Sequence, residues 1–278
     1  MNALAIHLYL KIRYINLSFN HFGDFYRIIV NNICITMYTT LHCICLRTVR
    51  YNDSSAILSA YSRECGLMSF QISSGQSKEG RRRKALTMPL SFIECICDIR
   101  TGRDIHTIKE LIPWGCNLLA INANPIKTSI AVFLAEILGI VLRDSHPDSI
   151  LFDYIATGIQ RLARIDQGIG NFHLSFLYGL SRFLGIEPDL GTWKQGYIFD
   201  MSEGIFRPTP PLHTHYLSPE KARTVAALAM MSERNLNMFR LNRKQRNDIL
   251  DGILEYYSIH FSHISSISSI QVLRETMG

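Results

Sequence analysis

Between residues 41 and 111, short apolar segments with a period near two alternate with polar turns; from Pro125 onward the period becomes helical. The first region predicts strands over 41–50, 55–62, 67–73, 91–99 and 104–111, with turns at Tyr51-Asn52-Asp53, Glu64-Cys65-Gly66 and Arg100-Thr101-Gly102-Arg103. The clearest strand is 91–99. Ile93, Cys95, Cys97 and Ile99 fall on one face, and Glu94 and Asp98 on the other. Five short strands in roughly 70 residues suit a small barrel such as the OB-fold.

The second region predicts helices over 126–143, 150–165 and 172–184. Gly185 and Pro188 stop the third of these. Ser218-Pro219-Glu220 starts another, with Ser as N-cap and Pro at the first turn, and Asn242 caps a further one. Between them, residues 193–211 read as a β-hairpin, with Tyr197-Ile198-Phe199 and Gly204-Ile205-Phe206 flanking a polar turn. The expected fold class is therefore α+β. An OB-type barrel (37–112) precedes an α-helical domain (113–278) carrying the hairpin. Residues 1–36 show no clear period, and Met37 stands just before the first convincing strand. They are expected to be an extension outside the core. The competing reading is a short interfacial segment.

Composition narrows the class. With 47% hydrophobic and 19% charged residues, the chain is globular rather than disordered. The most apolar stretch, 130–142, is interrupted by Glu136 and is shorter than the ~18 residues of a membrane span. No membrane contact is expected. Seven cysteines without a C-x-x-C pair suit a cytoplasmic protein with reduced thiols. The net charge is +6, yet residues 112–278 carry 15 basic and 15 acidic groups, so the whole excess lies N-terminal. That asymmetry suggests a polyanion-binding module joined to a neutral one.

Lys78-Glu79-Gly80-Arg81-Arg82-Arg83-Lys84, between the third and fourth strands, holds five positive charges and one negative. Read as a loop of the barrel, it can track a phosphate backbone while nearby aromatics stack bases. Lys78, Arg81, Arg82, Arg83 and Lys84 are the first candidates for contact with a nucleic-acid backbone, with Arg47, Arg50 and Arg63 behind them. Tyr51, Tyr61 and Phe70 are the candidate stackers, set against an ordinary place in the strand core. In the helical domain, Arg243, Lys244 and Arg246 occupy a first helical turn, where the macrodipole favours acids. They are candidates for binding a partner, against the plainer reading of a solvated turn.

Two patterns invite a metal. Cys43-x-Cys45 and Cys95-x-Cys97 each place two thiols on one strand face. Structural zinc sites usually draw ligands from turns, however, and these thiols lie on an apolar face, so packing is expected. His213-x-His215 has no neighbouring Cys or carboxylate pattern to complete a site.

Several segments carry a resemblance. They are Ile44-Cys45-Leu46-Arg47-Thr48-Val49-Arg50-Tyr51-Asn52-Asp53-Ser54-Ser55, then Tyr61-Ser62-Arg63-Glu64-Cys65-Gly66, then the basic run before Pro89-Leu90. Asn171-Phe172-His173-Leu174-Ser175-Phe176-Leu177 and Leu180-Ser181-Arg182-Phe183-Leu184-Gly185-Ile186-Glu187-Pro188 complete the set. In order and spacing, over residues 41–273, these resemble the RecO family of DNA repair proteins. Arg63-Glu64-Cys65-Gly66 looks like the family's Thr-Arg-Glu-x-Gly turn, with Ser62 where Thr is usual.

The resemblance implies an N-terminal OB-fold, a C-terminal helical domain and a non-enzymatic role in recombinational repair. It also implies binding of single- and double-stranded DNA and annealing of complementary strands. With RecR, such a protein would help RecA displace single-strand-binding protein, whose acidic, hydrophobic tail it docks. Many RecO-like proteins carry a four-cysteine zinc site after the Leu-Gly-x-x-Pro segment. Here residues 188–211 contain no cysteine, so no zinc or other cofactor is expected. Trp193, Tyr197 and Phe206 are expected to replace the metal with a small apolar cluster.

Two rivals remain open. One is an RNA-binding OB protein acting in translation or RNA turnover. The other is a hydrolase using His213 or His215, although G-x-S-x-G, P-loop and H-E-x-x-H motifs are all missing from the sequence.

Overall fold

A computed structural model describes residues 38–278, apart from residues 74, 101, 116, 117, 233 and 278 and the side chain of Ser265. The expectation for residues 1–36 lies outside the described residues.

Five strands make up the N-terminal part: β1 (Tyr38–Arg50), β2 (Ser55–Ser62), β3 (Gly66–Ser73), β4 (Phe92–Asp98) and β5 (Ile105–Pro113). They close into a barrel in the order β1-β2-β3-β5-β4. β3 and β5 pair parallel; every other pair in the barrel is antiparallel. This closed five-stranded arrangement is OB-like, as the period-two pattern predicts. Leu41, Cys43, Cys45, Leu58, Phe70, Ile93, Cys95 and Cys97 point inward and are fully buried. The four thiols thus pack as small hydrophobes. The neighbouring Cys95 thiol and burial hold Cys43 well above its usual range, and burial does the same to Cys45.

The segment between β3 and β4 is not a loop. It is a nine-residue helix, α1 (Lys78–Leu86). Ser77 caps it by accepting from the Gly80 amide. Glu79 lies in the first turn, and Arg83 and Lys84 in the last, which complements the macrodipole at both ends.

The helical part comprises α2 (Leu119–Asn122), α3 (Pro125–Val141), α4 (Ser149–Arg164), α5 (Phe172–Phe183), α6 (Pro219–Ala229), α7 (Arg243–His260) and α8 (Ser269–Thr276). Side chains start the main ones. Asn124 accepts from the Ile126 and Lys127 amides, and Asp148 from those of Ile150 and Leu151. Asn242 and Gln245 form a reciprocal capping box. The hairpin is β6 (Ile198–Asp200) with β7 (Ile205–Arg207), and β8 (Tyr216–Leu217) adds a third strand on the other edge of β6.

Barrel and helices share a core. Ile44, Leu46, Tyr61, Leu90 and Phe92 turn outward from the barrel and join the cluster that contains Ile130, Leu134 and Phe152. The Tyr61 ring stacks on Phe152 at 6.0 Å, and Trp114 meets Phe92 edge-on at 5.8 Å. Leu90 adopts a left-handed backbone (φ 63°) while fully buried, a strained position held by its packing.

A candidate nucleic-acid interface at the barrel rim

β1 ends, β2 begins and β3 ends at one rim of the barrel, and α1 lies across it. Leu86 packs against the barrel interior. The Thr48 hydroxyl donates to the Thr87 carbonyl (3.3 Å), and the Arg83 guanidinium donates to the Ser73 hydroxyl (3.0 Å). Gly80 makes this seating possible. A Cβ added there would stand 1.9 Å from the Gly75 carbonyl oxygen.

Seated this way, α1 presents Lys78, Arg81, Arg82 and Lys84 to solvent. Glu79 lies 3.2 Å from Arg83 and 3.7 Å from Arg82. Arg83 is the most committed of the five, with its side chain 23% exposed. One carboxylate cannot neutralise five cations, so the helix keeps a net positive face.

The β1–β2 turn adds to this rim. Arg50 pairs with Asp53 (2.5 Å) and donates to the Asn52 carbonyl (3.2 Å), so it braces the turn. Arg47 is exposed on the outer face of β1, opposite Ser59, while Leu58 beside Ser59 points into the barrel. Arg63 sits elsewhere. Its guanidinium grips Asp153 through two bonds (2.6 and 2.9 Å) and lies 5.7 Å over the Phe152 ring. It ties the barrel to α4. Of the three candidate stackers, Tyr61 and Phe70 are fully buried and have no face for a base, whereas Tyr51 is 68% exposed.

The matches to known proteins cover both parts of the chain. The model for "Recombination protein O N terminal" matches residues 37–114, and that for "Recombination protein O C terminal" matches residues 122–265. A "DNA repair protein RecO" of Phocaeicola vulgatus is 36% identical over 232 residues, spanning 84% of this chain and 96% of the relative. The protein of that name from Porphyromonas gingivalis is 34% identical, over 83% of this chain and 95% of the relative.

The chain belongs to the RecO family of DNA repair proteins.

The RecO resemblance implies a zinc site in many members, and the described residues of this chain do not fit one. Among the described residues, no group of three His, Cys, Asp or Glu side chains could hold a metal ion. The corresponding segment is organised around Asp200, which is fully buried. Its Oδ1 accepts from the Ser202 and Glu203 amides (3.1 and 3.2 Å) and lies 3.3 Å from His213 Nε2. Its Oδ2 accepts from Arg207 (2.9 Å). Both oxygens are engaged, and the guanidinium supplies the positive charge. His213 is thereby a structural partner, with His215 6.1 Å away, ring to ring.

The apolar cluster also differs from the one expected. Phe206 packs on Phe199 (4.9 Å), which meets Tyr256 edge-on (5.5 Å). Trp193 is 38% exposed and stays outside that group.

The helical cations of this RecO-family chain have structural partners too. Arg243 donates to the Arg274 carbonyl (3.0 Å), and Arg246 to the Met277 and Leu241 carbonyls (3.1 and 2.6 Å). They satisfy carbonyls at the C-terminal end of α8, where cations are favoured. A placement that opposes the dipole of α7 thus serves the dipole of another helix. Lys244 is exposed.

Proposed function

We propose that this RecO-family protein is a recombination mediator that grips the DNA backbone with α1 and the β1–β2 turn. Lys78, Arg81, Arg82 and Lys84 carry the contact, with Arg83 and Arg47 beside them. On this reading the rim binds single- and double-stranded DNA and anneals complementary strands without nucleotide. Acting with RecR, the protein helps load RecA onto strands coated by single-strand-binding protein, and it is not an enzyme. The observation behind the reading is the exposed cationic helix that tops an OB-like barrel. Such a surface follows a phosphate chain without needing base sequence.

A partner's acidic, hydrophobic tail needs apolar contact beside cations. The cavity of about 750 Å³ that offers Phe183, Leu184 and Phe261 beside Arg143 is also lined by Asp144 and Asp148, so it meets the apolar requirement and not the cationic one. Arg243 and Arg246 are already engaged at α8.

A nucleotide-free annealing assay tests the mediator reading. Complementary strands should anneal rapidly with the wild type and slowly when Arg81, Arg82 and Lys84 are all changed to Gln. Annealing that survives this neutralisation would reject the reading. Preference for RNA over DNA oligomers of equal length would favour an RNA-binding role instead.

A further inference from the structure

Tyr51 has the most exposed aromatic ring among the described residues, at 68%. No other ring or cation of the described residues packs on it. An apolar ring left open is ordinary on a mobile tip, but this tip is tightly braced. The Tyr51 and Asn52 amides both donate to the Ser55 carbonyl (3.0 and 3.1 Å). The Asn52 side-chain oxygen accepts from the Ser54 amide, the Ser54 hydroxyl and the Ser55 amide (3.0, 3.3 and 2.8 Å). Arg50 clamps the turn from the other side through Asp53 and the Asn52 carbonyl. The ring is therefore displayed on a pre-ordered support, which lowers the entropy cost of using it.

The support adjoins the cationic helix through a short chain of contacts. Tyr51 is bonded to Ser55, Ser55 faces Ser73 across β2 and β3, and Ser73 accepts from Arg83 of α1. Charge for the backbone and a free π-face for a base thus share one rim.

We propose that Tyr51 is a base-stacking platform that makes this rim discriminate unpaired from paired DNA. The inference rests on the DNA-binding reading above and adds the choice of strand. In a duplex both faces of each base are covered by neighbours, so the ring gains nothing without unstacking a step. In a single strand a face is free. A cationic surface alone cannot make that distinction, because both forms offer phosphates.

The test is fluorescence anisotropy at one fixed salt concentration, with a thymidine oligomer and a duplex of equal length. Tyr51→Ala should weaken single-strand binding by about 5- to 150-fold and leave duplex binding within about twofold. Tyr51→Phe, which keeps the ring, should bind like the wild type. No ring or cation of the described residues packs on Tyr51, so the thermal midpoint of Tyr51→Ala should match that of the wild type. Equal loss on both substrates, no loss on the single strand, or a Tyr51→Phe variant as weak as Tyr51→Ala would overturn the proposal. A wild type that binds neither substrate would overturn the DNA-binding reading as well. If Tyr51→Ala loses the single strand while Gln at 81, 82 and 84 changes nothing, stacking stands and the role of α1 falls.

Discussion

The carboxylate of Glu136, on α3, accepts hydrogen bonds from both the amide and the hydroxyl of Ser269, the first residue of α8. Ser268 gives it two more, from its amide (3.1 Å) and its hydroxyl (3.0 Å). Glu136 thus acts as an N-cap supplied by another helix, while Arg243 and Arg246 satisfy the far end of α8. Burial pushes the Glu136 carboxyl up, but these four bonds outweigh it and hold the group below the usual glutamate value. A depressed carboxylate stabilises the fold above its unfolded pKa, and that contribution is lost as pH falls through the folded value. Glu136→Ala should cost about 1–2 kcal/mol at neutral pH, read by urea unfolding. The gap between variant and wild type should close in acid, below about pH 4.

His173 imposes a second acid dependence at higher pH. It is 1% exposed, its Nδ1 has no hydrogen-bond partner among the described residues, and its ring meets Phe133 edge-on at 6.1 Å. Burial, and then the nearby Arg246 charge, push its pKa down to about 3. The unfolded chain binds this proton first, so stability should fall as pH drops from about 6.5. The slope from this one group approaches about 1.4 kcal/mol per pH unit. His173→Leu should flatten the profile between about pH 6 and pH 4 in denaturant titrations. An unchanged slope would count against the buried neutral imidazole.

Gly80 reverses a general rule. Glycine to alanine inside a helix ordinarily stabilises by about 1 kcal/mol. Here the added methyl would collide with the Gly75 carbonyl, which is backbone and cannot rotate aside. Gly80→Ala should destabilise by about 1–3 kcal/mol and displace α1 from the rim. Thermal unfolding would show the first effect and reduced DNA affinity the second.

Salt dependence measures how many cations of α1 meet phosphates. Four contacts on a single strand give a slope of about −2.8 in log affinity against log salt. Binding should then fall roughly fifty-fold between about 50 and 200 mM salt. Changing Arg81, Arg82 and Lys84 to Gln should make the slope shallower by about 2. Loss of affinity with an unchanged slope would mean that these groups act through the fold instead.

Asp200 can be tested against metal dependence. Asp200→Ala removes the acceptor of two amides and of Arg207, at a cost of about 1–3 kcal/mol. A chelator should leave the wild-type thermal midpoint unchanged. Zinc copurifying in stoichiometric amount would overturn this account of the hairpin.

The sequence by itself determined the elements that depend on near neighbours. Strand-like segments between turn signals marked all five barrel strands, most clearly the alternation over 91–99, where one face meets the barrel interior. Asn242 and the stop at Gly185 marked helix ends because caps act within one turn. The helix of residues 78–86 was legible in principle. Ser77, Glu79 and the Glu79–Arg83 spacing are local helix signals, but the density of charge resembles a loop.

Only the tertiary structure decided what each polar group faces. Arg63, Arg243 and Arg246 look like free cations in one dimension, and their partners Asp153, Arg274 and Met277 lie 31 to 90 residues away. Tyr51 and Tyr61 both belong to strand-and-turn strings, yet one ring is open and the other is buried against Phe152. The distinction arises because the helical part covers one side of the barrel and leaves the rim at α1 exposed. Secondary structure follows from short-range periodicity, whereas burial and charge pairing follow from how distant segments pack.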